Sequence, residues 1–385
     1  MKKITKISAI VLSLIMVAAL AFTPSTEAMA KKKKATLKMN KKSVVLQVKK
    51  KATLKVTFGG KKVKATKVKW KSSKPKIVSV SKKGVIKGLK EGEKVKIKAT
   101  YKKKSKTCVV TVQDPNAVKK YTPLKSLSGT VTLSGSTSVQ PAAAALAEEF
   151  KKYNGYNVKI ELTNITGSGA GRTDAKDRKV SFGMVSHEWT DSYVKDFPSL
   201  NPIMTALDGV AMVVNTANSQ VSNLTFDEIQ SIYQGNEKYG LSNPVRRESG
   251  SGTLSCFEDA LKANTSNKKA PSYSGGQIAN STGQVESVVK GNTKAIGFMS
   301  LGSVTSSVKK VKVAGVEATE ANILNGLYKM QRPFILLRDK DWSMNKVEQE
   351  FMKFVLSREG QAVINNQGFI SLPNSMIKNE LPKIK

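Results

Sequence analysis

The stretch GTVTLSGSTSVQPAAAALAEEFKKYNGYNVKIELT, residues 129–163, indicates the fold of the larger part of the chain. Residues 129–133 and 158–162 have the apolar and β-branched side chains of strands, and residues 142–152 have the spacing of an amphipathic helix. A strand, a helix and a second strand in this order form a parallel pair with a crossover helix. The sequence therefore predicts a mainly parallel α/β sheet, in which ligands bind beyond the carboxyl ends of the strands.

Four loops near predicted strand ends are rich in glycine and hydroxyl side chains. Glycine makes backbone N–H groups approachable, and three of the loops lead into a predicted helix, whose amino end favours an anion. A tetrahedral oxyanion needs a dense ring of donors, to which an arginine adds a charged, bidentate contact. Each loop alone is a common kind of turn, and the inference rests on their order and spacing. The loops cover residues 135–138, 166–171, 181–186 and 246–253.

This arrangement resembles the phosphate-binding component of the phosphate ABC transporter, a type II periplasmic-binding-protein fold. The resemblance extends from about residue 127 to residue 373, and it implies two α/β lobes that close over one inorganic phosphate and deliver it to an ABC permease. It implies a protein that is not an enzyme and needs no cofactor or metal. Supporting segments are residues 207–215, 224–229, 295–298 and 328–333.

The resemblance also places phosphate contacts at particular positions. Arg247 is expected to supply the charged contact, whereas Arg246 beside it is expected to face solvent. Hydroxyl and backbone donors are expected from the four loops. The complete predicted set is Thr137, Ser138, Ser168, Ser186, Asp208, Arg247, Ser251, Gly252 and Thr253.

Two positions depart from the pattern of the family. Ser186 stands where strictly phosphate-specific members often have an aspartate that accepts the proton of hydrogen phosphate. Asp208 is proposed as a substitute acceptor, with a structural cap as the alternative. Ser249 replaces an aspartate that pairs with the arginine in some relatives, so Arg247 is expected to be less rigidly held. Selectivity for phosphate over sulfate or arsenate is left open.

Histidine and cysteine are scarce. His187 is the only histidine and is expected to be an exposed loop residue, and Cys108 and Cys256 are expected to be packed thiols in separate domains. With no second histidine and no cysteine pair at ligand spacing, a metal site is not predicted. A serine hydrolase is disfavoured because no base other than His187 is available.

Residues 35–112 have a different pattern, in which apolar residues alternate with lysines in short runs. Such runs predict an all-β sandwich of about 80 residues. Residues 68–75, 78–80 and 84–88 resemble the bacterial immunoglobulin-like group 2 family, whose members are usually spacers or adhesive units on cell-surface proteins.

The charge of the chain is concentrated in this first module. Residues 31–120 contain 32 lysines and 3 acidic residues, whereas residues 121–385 contain 30 lysines and arginines and 24 acidic residues. A polyanion is the natural partner of such a surface, and an exported protein first meets anionic cell-wall polymers and anionic lipid headgroups. A solvated basic face without a partner is the alternative. Nucleic acid is disfavoured because arginines and interleaved aromatic residues are lacking.

Residues 1–30 resemble a secretion signal. Three lysines precede an apolar run at residues 7–22, and Ala28-Met29-Ala30 offers a cleavage site; an uncleaved anchor is the alternative. No cysteine follows that site, so no lipid anchor is apparent and an extracellular or wall-associated monomer is expected. The predicted divisions are a signal peptide (1–30), an immunoglobulin-like domain (31–113), a linker (114–123) and a phosphate-binding domain (124–385).

Two rival functions keep the same fold. A surface scavenger or sensor would bind phosphate or another oxyanion without a permease. An adhesin would hold the wall or a host polyanion through the β-domain, with lobes that no longer bind ligand. The presence of Arg247 and Ser251 argues against the adhesin.

Overall fold

The computed structural model of the chain describes residues 35–114, 117–124 and 126–384. It contains an all-β domain followed by an α/β domain of two lobes, so both predicted fold classes are confirmed. Residues 1–30 lie outside the described residues, and the signal peptide stays a prediction. Within the described ranges, no helix has the length and hydrophobicity that crossing a bilayer requires.

Short strands in three small sheets form the N-terminal domain. They are β1 (Leu37–Met39), β2 (Ser43–Gln47), β3 (Lys51–Thr53), β4 (Val56–Phe58), β5 (Lys61–Lys62), β6 (Lys69–Ser72), β7 (Val78–Val80), β8 (Val85–Gly88), β9 (Gly92–Tyr101) and β10 (Lys104–Gln113). The main sheet has the order β2-β10-β9-β6, and its Ile97 packs with Leu54 and Ile86 from the opposite side of the core. Along β9 buried apolar residues alternate with exposed lysines, as predicted.

The α/β domain follows, with a mixed sheet and helices on its faces. Its strands are β11 (Gly129–Gly135), β12 (Val158–Thr163), β13 (Phe182–Val185), β14 (Leu200–Asn215), β15 (Asn223–Leu224), β16 (Asn243–Arg247), β17 (Gln277–Ala279), β18 (Ala295–Ser300), β19 (Val308–Val313) and β20 (Gln331–Asp339). Its helices are α1 (Gln140–Asn154), α2 (Ser168–Lys176), α3 (Asp191–Asp196), α4 (Phe226–Tyr233), α5 (Gly252–Asn264), α6 (Thr282–Gly291), α7 (Glu320–Leu324), α8 (Lys346–Val355), α9 (Arg358–Asn366) and α10 (Asn374–Glu380).

The long strand β14 divides this domain into two lobes. From Leu200 to Gly209 it pairs with β20; from Val210 to Val214 it pairs with β18, and from Met212 to Asn215 it also pairs with β19. The chain thus leaves the first lobe (residues 117–209 and 331–384) along β14 and returns to it along β20. Separate apolar cores fill the two lobes. Two crossing strands between two cores are the arrangement that hinged domain closure requires.

The sheet is less parallel than predicted. Strand β11 is parallel to β12 and β13, and β16 is parallel to β17 and β18, as the strand-helix-strand pattern indicates. The antiparallel pairs of this domain among the described strands all involve β14 or β20. These two strands carry the chain between the lobes in opposite directions, which the local pattern could not indicate. The strands β11, β13 and β16, whose loops were predicted to bind ligand, keep the parallel arrangement.

The predicted linker is partly built into the first lobe. Tyr121 is buried, its ring centroid lies 5.3 Å from that of Phe354, and its N–H donates to Glu359 Oε2 at 2.8 Å. Aromatic edge contacts of this kind add to the burial of apolar area. The core of the first lobe therefore includes a residue that the sequence assigned to the linker.

The β-domain contacts both lobes. Two hydrogen bonds join it to α7 and the following turn in the second lobe, and two join it to α10 in the first lobe. The pairs are Ser43–Asn322 (2.6 Å), Thr111–Asn325 (3.0 Å), Asn374–Glu91 (3.1 Å) and Ser375–Glu93 (3.0 Å). Rotation of one lobe relative to the other therefore changes at least one of these contacts, a coupling that a simple spacer would lack.

Candidate functional site

The predicted binding loops meet where the two lobes touch. Ser138 in the first lobe has its Oγ 3.0 Å from Thr253 Oγ1 and 3.1 Å from Thr282 Oγ1 in the second. Arg247 Nη2 donates across the same boundary to Thr137 Oγ1 at 3.1 Å. These side chains are at most 9% exposed. The lobes are therefore closed on each other, with hydroxyl and guanidinium groups from both sides in one buried cluster.

Helix amino ends contribute to this cluster from both lobes. Helix α2 begins at Ser168, and α1 begins two residues after Ser138. In the second lobe, the Ser251 hydroxyl caps α5 by accepting from the N–H groups of Thr253 at 3.2 Å and Leu254 at 3.4 Å. Helix amino ends have a partial positive charge. The predicted loop-to-helix junctions thus lie where an anion would be held.

Gly252 packs tightly against the first lobe. A Cβ added to it would lie 2.5 Å from Ser168 Oγ and 2.7 Å from Ser186 Oγ. No side chain fits in that space without moving the lobes apart. This explains why the predicted loop has glycine at this position.

Arg247 is held by its neighbour in the chain. Its Nε and Nη2 donate to the two carboxylate oxygens of Glu248, each at 2.7 Å, and its Nε also donates to Ala279 O at 3.2 Å. The expectation that Ser249 leaves Arg247 loosely aimed is therefore wrong. Glu248, the residue before Ser249, supplies the carboxylate, and its bidentate pair with Arg247 fixes the plane of the guanidinium.

Arg332 is a second buried arginine, which the sequence did not indicate as a site residue. Its Nε and Nη2 donate to Asp208 Oδ2 at 3.1 and 2.9 Å, and its Nη1 donates to Ser186 O at 3.0 Å and to Thr253 Oγ1 at 2.7 Å. The only signal was its place in the segment 328–333, which supported the family resemblance but has the pattern of an ordinary strand. The pairing of β20 with β14 brings it to the site.

Asp208 lies on the far side of the Arg332 guanidinium from Ser186. It is buried within β14 and does not open a strand, and Ser300 Oγ donates to its Oδ2 at 2.8 Å. Burial raises the pKa of Asp208, and the charge of Arg332 and the hydrogen bonds act against that rise. Its direct contact with ligand stays a prediction.

The structure brings the other predicted residues together. Ser168 Oγ accepts from the N–H of Ser186 at 3.1 Å, and the two hydroxyls lie 3.4 Å apart. Arg246 stacks over the ring of Tyr273 at 4.9 Å, away from the cluster that Arg247 joins. Two further members that the sequence did not indicate are Glu248 and Thr282.

His187 is buried, so the expectation of an exposed loop residue is wrong. Its Nε2 lies 2.8 Å from Arg172 Nη1 and its Nδ1 lies 2.8 Å from Glu188 O. A neutral ring with the proton on Nδ1 satisfies both contacts, since arginine can only donate. Burial, helped by the charges of Arg172 and Arg332, lowers the pKa of His187 to about 4, although the hydrogen bond to Glu188 O acts in the opposite direction.

This pKa predicts a pH dependence of stability. Between pH 6.5 and about 4 the unfolded chain takes up a proton at His187 that the folded chain does not, so the free energy of unfolding falls as the pH falls through that range. The loss approaches about 3 kcal/mol. We expect His187→Gln to remove this part of the difference between urea unfolding at pH 7 and at pH 5. Equal losses in both proteins would contradict the assignment.

Both cysteines are free and buried, as predicted, and burial raises the pKa of each thiol to about 12. No group of three histidine, cysteine or acidic side chains that could hold a metal ion occurs in the described part of the chain.

Two α/β lobes joined by crossing strands, closed over a buried arginine and converging hydroxyls, define a two-lobed binding protein. Residues 122–359 match the family model of the PBP superfamily domain, and residues 34–112 match that of the bacterial Ig-like domain, group 2. The chain therefore belongs to the PBP superfamily, with a bacterial Ig-like domain at its amino-terminal side.

Proteins with similar sequences include several phosphate-binding proteins. Phosphate-binding protein PstS 2 of Streptococcus pneumoniae serotype 4 is 40% identical over 136 residues, which are 34% of this chain and 45% of the relative. The match thus spans about half the length of that relative. Phosphate-binding protein PstS of Staphylococcus epidermidis is 29% identical over 284 residues, which are 68% of this chain and 84% of the relative.

Solved structures share the fold of the α/β domain. A candidate phosphate ABC transporter substrate-binding protein from Clostridium perfringens, solved with bound phosphate, is 34% identical with a TM-score of 0.57. An ABC-type phosphate transport receptor from Vibrio cholerae is 30% identical with a TM-score of 0.51. Each match covers 63% of this chain and 100% of the other. The resemblance inferred from the sequence is confirmed.

Proposed function

We propose that this chain is an exported solute-binding protein that captures inorganic phosphate between its two lobes and delivers it to an ABC permease. The observation that carries the proposal is the buried cluster around Arg247, where donors from both lobes and the amino ends of α1, α2 and α5 converge. Such a cluster suits an anion with several acceptor oxygens. The names of the relatives support phosphate as that anion.

Capture requires closure and no covalent step. With the hinge open, the loops of the first lobe are separated from Arg247 and from α5; closure on phosphate surrounds the ligand with donors and excludes water. The closed form is then the shape that a permease recognises. His187, whose two ring nitrogens are engaged by Arg172 and Glu188, is not available as a base. The protein acts as a monomer without a cofactor.

Isothermal titration of the full mature chain, stripped of phosphate by unfolding and refolding, tests this function. We expect one phosphate per chain with a Kd in the micromolar range or below. A closed form that scatters X-rays as a more compact particle should appear on titration. Absence of heat and of compaction at millimolar phosphate would overturn the proposal and favour the adhesin.

A scavenger or sensor would give the same titration. The two roles separate in cells, where a delivery protein is needed for uptake of labelled phosphate at low concentration and a scavenger without a permease is not. We expect uptake to fall when the protein is deleted and to return with the wild-type chain.

We also propose that the β-domain binds an anionic cell-wall polymer. On its main sheet, Lys71 lies directly opposite Lys98 in the register of β6 and β9. Like charges at such positions destabilise a sheet unless an anion screens them. None of the ion pairs recorded for the described residues involves a lysine of this domain. Four of the exposed lysines on this outer face are Lys69, Lys71, Lys96 and Lys98.

Replacing these four lysines with glutamine should weaken binding of the full chain to purified anionic wall polymer by about tenfold or more at low salt, because each exposed charge near a polyanion contributes. The matched control is the same change at four exposed lysines of the first lobe, Lys152, Lys179, Lys195 and Lys346. Equal losses in both variants would show a non-specific charge effect. Phosphate affinity should be unchanged in both.

A further inference from the structure

Arg332 lies at the centre of the buried polar cluster, although no sequence pattern assigned it a role. Its side chain is fully buried. Besides Asp208, its partners are Ser186 Oγ at 3.2 Å, Ser186 O at 3.0 Å and Thr253 Oγ1 at 2.7 Å. It therefore touches one hydroxyl from each lobe at the predicted site.

The direction of these hydrogen bonds is fixed by chemistry. A guanidinium has donors only, and a serine hydroxyl has two lone pairs and one proton. Ser186 Oγ accepts from Arg332 and from Ser136 Oγ at 2.9 Å, so both lone pairs are in use. Its proton can only be donated, and its remaining neighbour, Ser168 Oγ, is distant at 3.4 Å. Ser186 thus presents a donor, and no acceptor, at this point of the predicted site.

Asp208 holds the guanidinium in this orientation. Both donors on one side of Arg332 converge on Asp208 Oδ2, which also accepts from Ser300 Oγ at 2.8 Å. The other oxygen, Oδ1, is buried and has no hydrogen-bond partner in the described part of the chain. A buried pair of this kind costs desolvation energy. Because Asp208 holds Nε and Nη2, the third guanidinium nitrogen, Nη1, points at the hydroxyls of Ser186 and Thr253.

We propose that Arg332, held by Asp208, is a positioning residue that fixes the Ser186 hydroxyl as a donor, occupies one lone pair of Thr253 Oγ1, and thereby lets the site accept sulfate as well as phosphate. The inference rests on the proposed function. Sites reject an analogue strongly when it leaves a buried group unpaired. Sulfate has no proton to donate at neutral pH. A hydroxyl that can only donate does not need a proton from the ligand, so bound sulfate leaves no buried acceptor without a partner.

The competing role of Asp208 predicts the opposite selectivity. If Asp208 Oδ1 accepted the proton of hydrogen phosphate, removing Asp208 would lower the affinity for phosphate more than the affinity for sulfate. If Arg332 fixes the hydroxyls as donors, its removal frees lone pairs on Ser186 and Thr253. Phosphate can donate its proton to these lone pairs and sulfate cannot, so the affinity for sulfate falls more than the affinity for phosphate.

The test is titration of phosphate and of sulfate into the full chain and into Arg332→Met/Asp208→Asn, which removes both charges together. Wild-type chain should bind sulfate measurably. The variant should lose about 10- to 100-fold in sulfate affinity, as expected for a hydrogen bond to a charged group, and less in phosphate affinity, so that the ratio shifts toward phosphate. Arg178→Met/Asp339→Asn removes an ion pair of the first lobe away from the site and should change neither affinity.

A coupling measurement separates positioning from a merely structural role. In a Ser186→Ala background the sulfate loss caused by Arg332→Met/Asp208→Asn should shrink, because the hydroxyl through which Arg332 acts is gone. Should the double variant not fold, Arg332→Lys keeps the charge beside Asp208 but cannot reach both hydroxyls, and the same ratio shift is expected.

Three results would overturn the inference: wild-type chain that binds phosphate but no sulfate, a ratio that shifts toward sulfate, or full additivity with Ser186→Ala. Failure of the wild-type chain to bind phosphate would instead overturn the proposed function.

Discussion

Arg247→Ala is expected to lower the affinity for phosphate by roughly a hundred- to a thousandfold while the chain stays folded. Removing the guanidinium takes away the charge-assisted contact from the second lobe and the hydrogen bond to Thr137 in the first. It also leaves the Glu248 carboxylate without its partner beside the ligand, where it repels an anion. Titration calorimetry with phosphate measures the loss.

Arg246→Ala is the matched control for this change. Arg246 is the preceding residue of β16 and stacks over Tyr273, so its removal takes the same charge from the chain without touching the site. We expect its phosphate affinity to stay within about threefold of wild type. Unchanged affinity in Arg247→Ala, or equal losses in the two variants, would show that the site is assigned wrongly. Melting temperatures of both variants exclude a folding defect.

Gly252→Ala is expected to prevent closure. The added Cβ would lie within 2.7 Å of the Ser168 and Ser186 hydroxyls, which belong to the first lobe. Relief requires the lobes to stay apart, so phosphate affinity should fall by at least about a hundredfold, whereas the ligand-free, open form loses no contact. Titration measures the affinity, and X-ray scattering should show no compaction on adding phosphate.

Gly169→Ala is the control for Gly252→Ala. Gly169 also lies at the lobe boundary, and its N–H donates to Gly250 O at 3.0 Å, but an added Cβ would have its nearest neighbour at 3.6 Å, an ordinary contact. Closure and affinity should be nearly unchanged. Normal binding by Gly252→Ala would mean that the phosphate-bound form is more open than the present structure.

Local features of the sequence account for most of the fold and much of the candidate site. Residues 129–163 predicted a strand, a helix and a strand, and the structure has β11, α1 and β12 there. The loops before α2 and α5 were recognised because glycine, hydroxyls and a following helix occur within a few residues of each other. Such signals depend on neighbours in the chain, and one sequence is enough to show them.

Tertiary structure decided what depends on distant parts of the chain. Arg332 reaches Ser186 across 146 positions because β20 returns beside β14, and no local pattern marks a strand arginine as a site residue. His187 is buried because Arg172 and Glu188 satisfy its ring, although its loop has a polar sequence. Sequence alone thus indicated the loops whose hydroxyls and helix amino ends converge in the buried cluster. The pairing of strands and the closure of lobes decided which charges hold those donors in place, because buried charges need partners that only the folded chain brings near.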